Sequence, residues 1–438
     1  MEALVSTNIS REKSKDGSLI LSNKVGFLLV FLLLYLSYNT GNQMRWDRRI
    51  MAIVTFVVVV LFFLYAVFFK RPRIHLKAIV SGMALTGVSL VGMVVYGDFA
   101  PDNFVFLMVL WCGIMVAHLL TFEQFTQSFI RIMIILCLYS LLCSYVLMPL
   151  VMNAGLSVFN TVINPNGNVP FVDFIFSFSL KYFGIQRNYG LFREPGVYQV
   201  FILAALAMEL FMSRQKLRIF RLVVLLGTLI TTFSTIGIVC GMLMITLYIL
   251  PRLSKRPIKI LIGILVGAVA VIIIVGGSED LQDLLSRSMN KLLDPADISF
   301  RVRFESIFNS LYASLQNPVF GLSLNNSLAY IIENLNAFGT TDVTGTTAIV
   351  FAGLGWPMGI LVNVLLFRFC HVNLTVKNGL LACGLFVILF LSINTQNLLC
   401  NSVFWTFLFM AYMKREETDT TEEGGARGQY EVCSVLRQ

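Results

Sequence analysis

Residues 50–69 decide the fold of this chain, and they read IMAIVTFVVVVLFFLYAVFF. The run holds no charged residue, and it is as long as an α-helix that crosses the roughly 30 Å hydrocarbon core of a bilayer. Similar runs recur along the chain, which is 57% hydrophobic and 13% charged, whereas soluble domains carry about 25% charge. We therefore expect an all-α polytopic membrane protein and exclude a membrane β-barrel, whose strands would alternate apolar and polar residues.

The apolar runs predict about twelve membrane helices. Their expected positions are residues 25–40, 50–69, 76–95, 101–120, 130–151, 197–213, 218–233, 235–250, 258–276, 347–368, 379–395 and 397–413. The bundle thus occupies residues 25–413, between an N-terminal segment (1–24) and a C-terminal tail (414–438). The tail is rich in Glu, Thr and Gly, a composition typical of disorder.

Basic residues predict the orientation of these helices, because cytoplasmic loops carry an excess of lysine and arginine. Three such clusters occur in short loops, at residues 70–77, 214–221 and 252–259. Placing them in the cytoplasm puts both termini there and leaves two long extracytoplasmic loops, 153–196 and 277–346. The net charge of +9 is explained by this topology, so we do not expect nucleic acid as a partner.

Residues that commonly bind metals and nucleotides do not cluster in this sequence. None of the eight cysteines lies in either long loop, and no CxxC or mixed Cys/His cluster occurs. Neither long loop contains an Asp-x-Asp pair, and the chain has no GxxxxGK[ST] phosphate-binding loop. We therefore expect no disulfide, no metal and no other cofactor, and we exclude an ATP-driven pump.

The two long loops carry structural signals of their own. In the first, residues 164–168 (NPNGN) form a turn signal, and the alternating aromatic residues of 174–182 predict either a short strand or an aromatic segment at the membrane interface. The second predicts a helical cap over the end of the bundle, with a helix that begins at Asp297 or Ser299 and ends at Pro318. The predicted apolar face of that helix comprises Phe304, Ile307, Phe308, Leu311 and Leu315.

Four arginines in these loops are candidates for anion binding: Arg187, Arg193, Arg301 and Arg303. They lie on the side that is otherwise poor in basic residues, so each should have a partner. A guanidinium binds phosphate through two parallel hydrogen bonds and keeps its charge when partly desolvated, so a diphosphate-linked lipid would suit them. The alternatives are lipid head groups and ion pairs with nearby carboxylates. The carboxylates in question are Glu194, Asp294, Asp297 and Glu305.

The histidines and one membrane-embedded acid are weaker candidates. His75, His118 and His371 all fall at or near the predicted cytoplasmic side, so no histidine is available for acid–base chemistry outside. Glu209 lies near the inner end of the sixth predicted helix, where a structural or snorkelling role is favoured over a proton relay.

The layout of helices and loops, together with several short motifs, resembles the bacterial O-antigen polymerase and ligase superfamily. Residues 187–195 (RNYGLFREP) are similar to an Arg-x-x-Gly-x-Phe…Pro segment before the sixth helix, and 231–237 (TTFSTIG) to a Thr-x-Ser-x-x-Gly turn. Residues 299–303 (SFRVR) and 317–322 (NPVFGL) resemble an Arg…Pro-x-x-Gly stretch, and 353–355 (GLG) the glycine-bearing start of the next helix. The resemblance covers most of the chain.

This resemblance implies a GT-C-like glycosyltransferase in the bacterial inner (cytoplasmic) membrane. Its donor would be a sugar chain on undecaprenyl diphosphate, and its acceptor a hydroxyl of a second lipid-linked repeat unit. The product would be a surface polysaccharide such as O-antigen, capsule or exopolysaccharide, made on the outer face without a metal. The implied partners are the lipid bilayer, a flippase and a chain-length regulator.

Carried over by position, the resemblance implies roles for the loop residues. Arg187 and Arg301 would bind the diphosphate as catalytic groups, and Glu194 would either orient or deprotonate the acceptor hydroxyl or pair with Arg193. The remaining implied substrate-binding residues are Arg193, Arg303, Tyr189 and Asp342.

One departure from the family separates the alternative functions. Ligases of the superfamily resemble one another in a histidine near the end of the second loop, where this chain reads GTTDVTG at 339–345. Polymerisation is therefore favoured over ligation, with Asp342 as a substitute base at most. The main alternative from another class is a secondary transporter or lipid-linked oligosaccharide flippase, which twelve helices with cytoplasmic termini would suit equally well.

Overall fold

The computed structural model describes residues 21–69, 72, 74–154, 161–164, 169–180, 187–249, 298–335, 343–376 and 378–413. Within this part of the chain, six helices are long and apolar enough to cross a membrane, and five more apolar helices are shorter. The protein is therefore a mostly helical membrane protein.

The helices follow one another along the chain with short connections between most of them. They are α1 (Asn23–Tyr35), α2 (Arg48–Phe69), α3 (Leu76–Tyr96), α4 (Pro101–Leu119), α5 (Phe122–Leu142), α6 (Met148–Ala154), α7 (Pro195–Ala207), α8 (Ile219–Thr231), α9 (Thr235–Ile249), α10 (Ile298–Gln316), α11 (Leu324–Leu335), α12 (Thr346–Val372), α13 (Gly379–Asn394) and α14 (Ser402–Phe409). Single π-helical turns, Cys143–Leu147 and Met208–Met212, join α5 to α6 and extend α7.

Every predicted membrane helix except 258–276 coincides with an observed helix, and that segment lies outside the described residues. The largest shift is at α5, which begins at Phe122 rather than near residue 130. The cause is a capping box: the Thr121 side chain accepts the backbone N–H of Gln124, and the Gln124 side chain accepts the backbone N–H of Thr121. The first turn therefore forms from polar residues that an apolar-run criterion omits.

Two helical hairpins are too short to span a bilayer core. Helix α8 has 13 residues, about 20 Å of rise, and α14 has 8 residues, about 12 Å. The turns of these hairpins, residues 232–234 and 395–401, therefore lie within the depth of the bundle. We call the end of the bundle towards which these turns point, where the strands and α10–α11 lie, the loop side, and the opposite end the tail side.

A small antiparallel sheet covers part of the loop side, an exception to the all-α expectation. It consists of β1 (Thr161–Asn164), β2 (Val169–Asp173) and β3 (Phe178–Leu180), in that order. An ion pair between Arg45 and Asp173 fastens the sheet to the connection between α1 and α2. Of the two alternatives for residues 174–182, the strand is therefore correct, but only for Phe178–Leu180.

Helix α10 packs against α12, but with a face other than the predicted apolar one. Its buried residues are Val302, Ser306, Ser310, Ala313 and Ser314. The large side chains of Phe304, Phe308, Leu311 and Leu315 are exposed instead. Small residues let two helices approach closely within a membrane, while lipid solvates large apolar groups. The helix is thus present as predicted, but of its predicted apolar face only Ile307 is half-buried, and the other four residues point away from the bundle.

Candidate functional site

Arg187 is fixed against the first hairpin turn on the loop side. Its Nε–H donates to the carbonyl oxygen of Thr232 at 3.1 Å, and Nη2 donates to that of Phe233 at 3.3 Å. Burial lowers the pKa of Arg187, while the nearby Tyr189 and Glu194 act in the opposite direction. The two carbonyls orient the guanidinium and leave its remaining N–H groups for another partner.

Asn188 anchors the same segment from within the core. Its side chain is fully buried and donates to Ser140 Oγ at 3.1 Å and Thr231 Oγ1 at 3.2 Å, while its backbone N–H donates to the Thr231 carbonyl at 2.9 Å. The two sequence motifs at 187–195 and 231–237 are thus in direct contact. Asn188 has a structural role that the sequence did not indicate.

Arg193 and Glu194 form an ion pair at the N-terminus of α7, with Nε and Oε1 3.4 Å apart. Their side chains are 21% and 36% exposed, and Nε of Arg193 has no hydrogen-bond partner among the described residues. The backbone N–H of Arg193 donates to the Asn39 carbonyl at 3.1 Å. The pair is held in place by the backbone but is not saturated by its own hydrogen bonds.

Beneath this pair, polar side chains from several elements meet at the second hairpin turn. Gln199 donates to Thr395 Oγ1 at 3.2 Å, and Asn39 donates to the carbonyl of Asn397 at 3.2 Å. The carbonyl of Gln396 accepts the backbone N–H groups of Gly345 and Thr346, which open α12. The segment after α1, the second turn of α7, the start of α12 and the end of α13 therefore meet around this turn.

We call this group the polar layer, and several of its buried atoms have no hydrogen-bond partner within the described residues. These atoms are Asn39 Oδ1, Gln43 Nε2, Arg193 Nε, Gln199 Oε1 and Thr344 Oγ1. A folded protein leaves few buried polar atoms unpaired, because each costs about 1–3 kcal/mol. Unpaired buried atoms also occur elsewhere in the described residues, as at Glu123, Thr126 and Gln127. Those of the polar layer, however, lie beside the Arg193–Glu194 pair, which makes the layer a candidate site for the polar groups of a ligand.

The arginines of α10 lie further out on the loop side. Ile307 packs beside Gly345 at the start of α12, with its Cγ1 3.1 Å from the position of a Cβ atom on that glycine. Arg303 is one helical turn before Ile307, about 6 Å along the axis, and Arg301 is a further 3 Å away. Arg303 is half-buried and Arg301 is exposed.

Arg193 and Glu194 thus lie at the polar layer, Arg187 is near enough to Glu194 for their charges to interact, and the α10 arginines lie further out. Tyr189 packs edge-on against Phe171 of β2, with ring centroids 5.0 Å apart. Burial raises the pKa of Tyr189, so its hydroxyl is protonated at neutral pH and can donate a hydrogen bond. Asp342 lies outside the described residues.

The motifs of the second loop also meet in space. The backbone N–H of Trp356 donates to the Pro318 carbonyl at 2.7 Å. Gly321 has φ +70°, and a Cβ atom added to it would clash with the Gly353 backbone at 2.4 Å. Gly355 has φ +78°, and a Cβ atom added there would lie 2.4 Å from the Val319 carbonyl oxygen. Both positions therefore require glycine, and they insert the turn between α10 and α11 into a break in α12.

Sequence reasoning missed the neutral members of the site, namely Asn39, Gln43, Gln199 and Thr344. The available signal was residues 394–397, which read NTQN inside an otherwise apolar stretch. On the tail side, the ring of His118 accepts the backbone N–H of His75 at 3.0 Å, so this pair is far from the site. Among the described residues no group of His, Cys, Asp and Glu has the arrangement of a metal site.

Comparison with known proteins finds no family model that matches this chain and no curated protein that matches it in sequence.

Proposed function

We propose that this protein is a glycosyltransferase that polymerises oligosaccharide repeat units carried on undecaprenyl diphosphate. The observation that carries the proposal is the position of Arg187, Arg193 and Glu194 against a partly unpaired polar layer inside an apolar bundle. A lipid-linked diphosphate has an apolar chain at one end and a sugar at the other. It needs cationic groups at a boundary between apolar and polar surroundings, and this site offers them.

In the proposed reaction, a hydroxyl oxygen of one lipid-linked unit attacks the anomeric carbon of another. The bond from that carbon to the diphosphate oxygen breaks, and the lipid diphosphate leaves with the bonding electrons. Arg187 and Arg301 stabilise the negative charge that develops on the leaving oxygen. The proton of the attacking hydroxyl passes to Glu194, whose partly exposed carboxylate is accessible.

The remaining assignments complete the proposal. Arg193 and Arg303 bind phosphate oxygens, and Tyr189 and Asp342 contact the sugars. The loop side faces outwards from a bacterial inner membrane, and both termini are cytoplasmic. A flippase supplies the substrate, and a chain-length regulator acts on the product, which is O-antigen, capsule or exopolysaccharide.

The test is an assay of purified protein in detergent with undecaprenyl-diphosphate-linked repeat units of the source organism. We expect a ladder of glycans on a gel, lost in Arg187→Ala and in Arg301→Ala. Arg49→Ala is the matched control, because Arg49 is an exposed arginine on the same side but lies in the first turn of α2. A folded protein that makes no ladder from authentic substrate would overturn the proposal.

A secondary transporter or flippase is the second candidate, and the broken helix favours it. Helix α12 loses helical geometry at Gly355, and two hairpins turn within the membrane depth, as substrate sites of transporters often do. Transfer of the lipid-linked unit across sealed vesicles that contain only this protein would support transport. Ligation is the third reading, and the lack of a loop-side histidine among the chain's three histidines disfavours it.

A further inference from the structure

Asp98 lies in the turn between α3 and α4, and its carboxylate is buried without a cationic partner among the described residues. The residue is 6% exposed. Its Oδ2 accepts the hydroxyl of Ser323 at 2.5 Å, and its Oδ1 accepts the backbone N–H of Ala100 at 3.4 Å. Its backbone carbonyl accepts Asn103 Nδ2 at 2.8 Å. Burying a carboxylate in this way is costly, which indicates a specific role.

The partner of this carboxylate is the start of another helix. Ser323 immediately precedes α11, and the backbone N–H of Asn326 in the first turn of α11 also donates to Asp98. The first N–H groups of a helix have no partner within the helix and attract negative charge. Asp98 thus caps α11 from a different hairpin, a task normally performed by the residue next to the helix.

Electrostatics keep this cap ionised. Burial by itself raises the pKa of Asp98, but hydrogen bonds from Ser323, Asn103, Ala100 and Asn326 outweigh burial and lower it below the usual carboxyl value. The charge is therefore present throughout the physiological range. A second, uncharged bond links the same two turns: Asn317 Nδ2 donates to the Tyr96 hydroxyl at 2.7 Å.

The cap formed by Asp98 also holds the turn between α10 and α11. Asn317 and Ser323 flank that turn, which is also inserted into the break of α12 through Gly321 and the Trp356 N–H. The turn is thus fixed on one side by α12 and on the other by the α3–α4 turn. Helix α10 extends from this turn, with Arg301 and Arg303 near its other end, so a rotation at the turn displaces those arginines in proportion to their distance from it.

We propose that Asp98 is a positioning residue that sets the direction of α10, and hence the place of Arg301 and Arg303, by capping α11 from the α3–α4 turn. The catalytic part of this inference rests on the proposed function, but the mechanical part does not. Asp98 touches no reacting group; it acts through Ser323. Its removal should therefore change the position of α10 and the turnover of substrate together.

The test uses three variants and one matched control in the full-length protein. Asp98→Ala removes the cap, Ser323→Ala removes only the hydroxyl, and Asp98→Asn keeps an oxygen that can accept from Ser323. Asp102→Asn is the control, because Asp102 is a carboxylate in the first turn of α4 that pairs with Arg48 and not with α11. Ser323→Ala serves as the mild variant should Asp98→Ala fold poorly.

Two readouts separate positioning from general damage. The first is the distance between spin labels at Phe308 of α10 and Phe68 of α2, both exposed, measured with the exposed Cys383 replaced. The second is kcat and KM in the polymerisation assay. We expect a shifted or broadened distance and a kcat lowered about tenfold to a hundredfold in Asp98→Ala, less in Ser323→Ala, and values near the wild type in Asp98→Asn.

The outcomes keep the two proposals apart. An unchanged label distance in Asp98→Ala, or a shifted distance with unchanged kcat in a protein that polymerises, would overturn the positioning role. A changed distance in a wild-type protein that never polymerises would support the mechanical coupling and reject the polymerase. An Asp102→Asn control that moves the labels equally would also reject the specific role of Asp98.

Discussion

The two ends of α7 carry an acid–base pair each, and the pairs differ in kind. On the tail side, Glu209 and Arg221 are 1% and 8% exposed in their side chains and 3.1 Å apart, and Glu209 also accepts the backbone N–H of Arg218. On the loop side, Arg193 and Glu194 are more exposed, 3.4 Å apart, and Arg193 Nε has no hydrogen-bond partner among the described residues. One pair is sealed and hydrogen-bonded, and the other is open and incompletely bonded.

This difference in exposure and hydrogen bonding distinguishes a structural ion pair from a candidate functional one more clearly than residue type does. A buried pair whose atoms are bonded to each other fixes two helices and offers nothing to a ligand. An open pair beside a layer of unpaired amides leaves hydrogen-bonding capacity for a bound molecule. The structural role expected for Glu209 agrees with its geometry, whereas the geometry of Glu194 permits both an ion pair and contact with substrate.

The largest expected effect comes from breaking the sealed pair. Glu209→Ala would leave Arg221 buried and unpaired, and such changes cost about 3–5 kcal/mol of stability. We expect the thermal unfolding midpoint in detergent to fall sharply, as measured by size-exclusion chromatography after heating. A loss of unfolding free energy below about 1 kcal/mol would show that the tail-side pair behaves like an exposed ion pair, and the two ends of α7 would then not differ in kind.

The next effect concerns Arg187, which should matter for activity and little for folding. Its two hydrogen bonds go to carbonyls of a turn and not to core side chains, whereas its charge is the group proposed to bind the diphosphate. We expect Arg187→Ala to lower kcat about a hundredfold or more, with an unfolding midpoint close to that of the wild type. Equal activity of Arg187→Ala and Arg49→Ala in the same assay would contradict the assignment.

A third test asks whether the turn between α10 and α11 is wedged into the break of α12. Gly321→Ala would place a Cβ atom 2.4 Å from the Gly353 backbone at φ +70°, so we expect destabilisation by about 1–3 kcal/mol. Gly97→Ala is the control, because Gly97 has φ +62° but no neighbour within 4 Å. Chemical unfolding should separate the two variants; similar midpoints would mean that the turn is not wedged.

The smallest effect on folding is expected within the polar layer itself. Gln199→Met keeps the length of the side chain and removes an amide whose Oε1 has no partner in the described part of the chain. Only the bond to Thr395 is lost, so stability should change by about 1 kcal/mol or less. Substrate affinity, measured as KM, should weaken by a larger factor. A strong loss of stability with unchanged KM would make the layer structural.

The positions of the helices follow from the sequence because apolar runs of sufficient length have one stable form in a bilayer. The turns of the two hairpins also follow from the sequence, since the expected helices 218–233 and 235–250, and 379–395 and 397–413, are each separated by one residue. The exposed face of α10 does not, because the usual rule buries the large apolar face of a helix, whereas α10 packs through its small residues.

The candidate site was only half predictable. Its arginines were identifiable from their charge on a side otherwise poor in it, and Glu194 from its place beside Arg193. The neutral members come from three places far apart in the chain, namely the α1–α2 connection, the second turn of α7 and the segment before α12. A single Asn or Gln near an apolar run carries no signal of its own. Asp98 was equally hidden, because its role depends on a helix start more than 200 residues away.

The short hairpins have a consequence for the membrane itself. A helix shorter than the hydrocarbon thickness draws the surrounding lipid towards it, so the bilayer thins locally. Helices α8 and α13 expose Ile230 and Leu391 beside the two turns, where this thinning should occur. The head-group plane would then dip towards Arg187, and bilayers of longer acyl chains should hold a lipid-linked diphosphate further from it. The thickness of the membrane would therefore affect how a lipid-linked diphosphate reaches the site, in addition to the side chains that bind it.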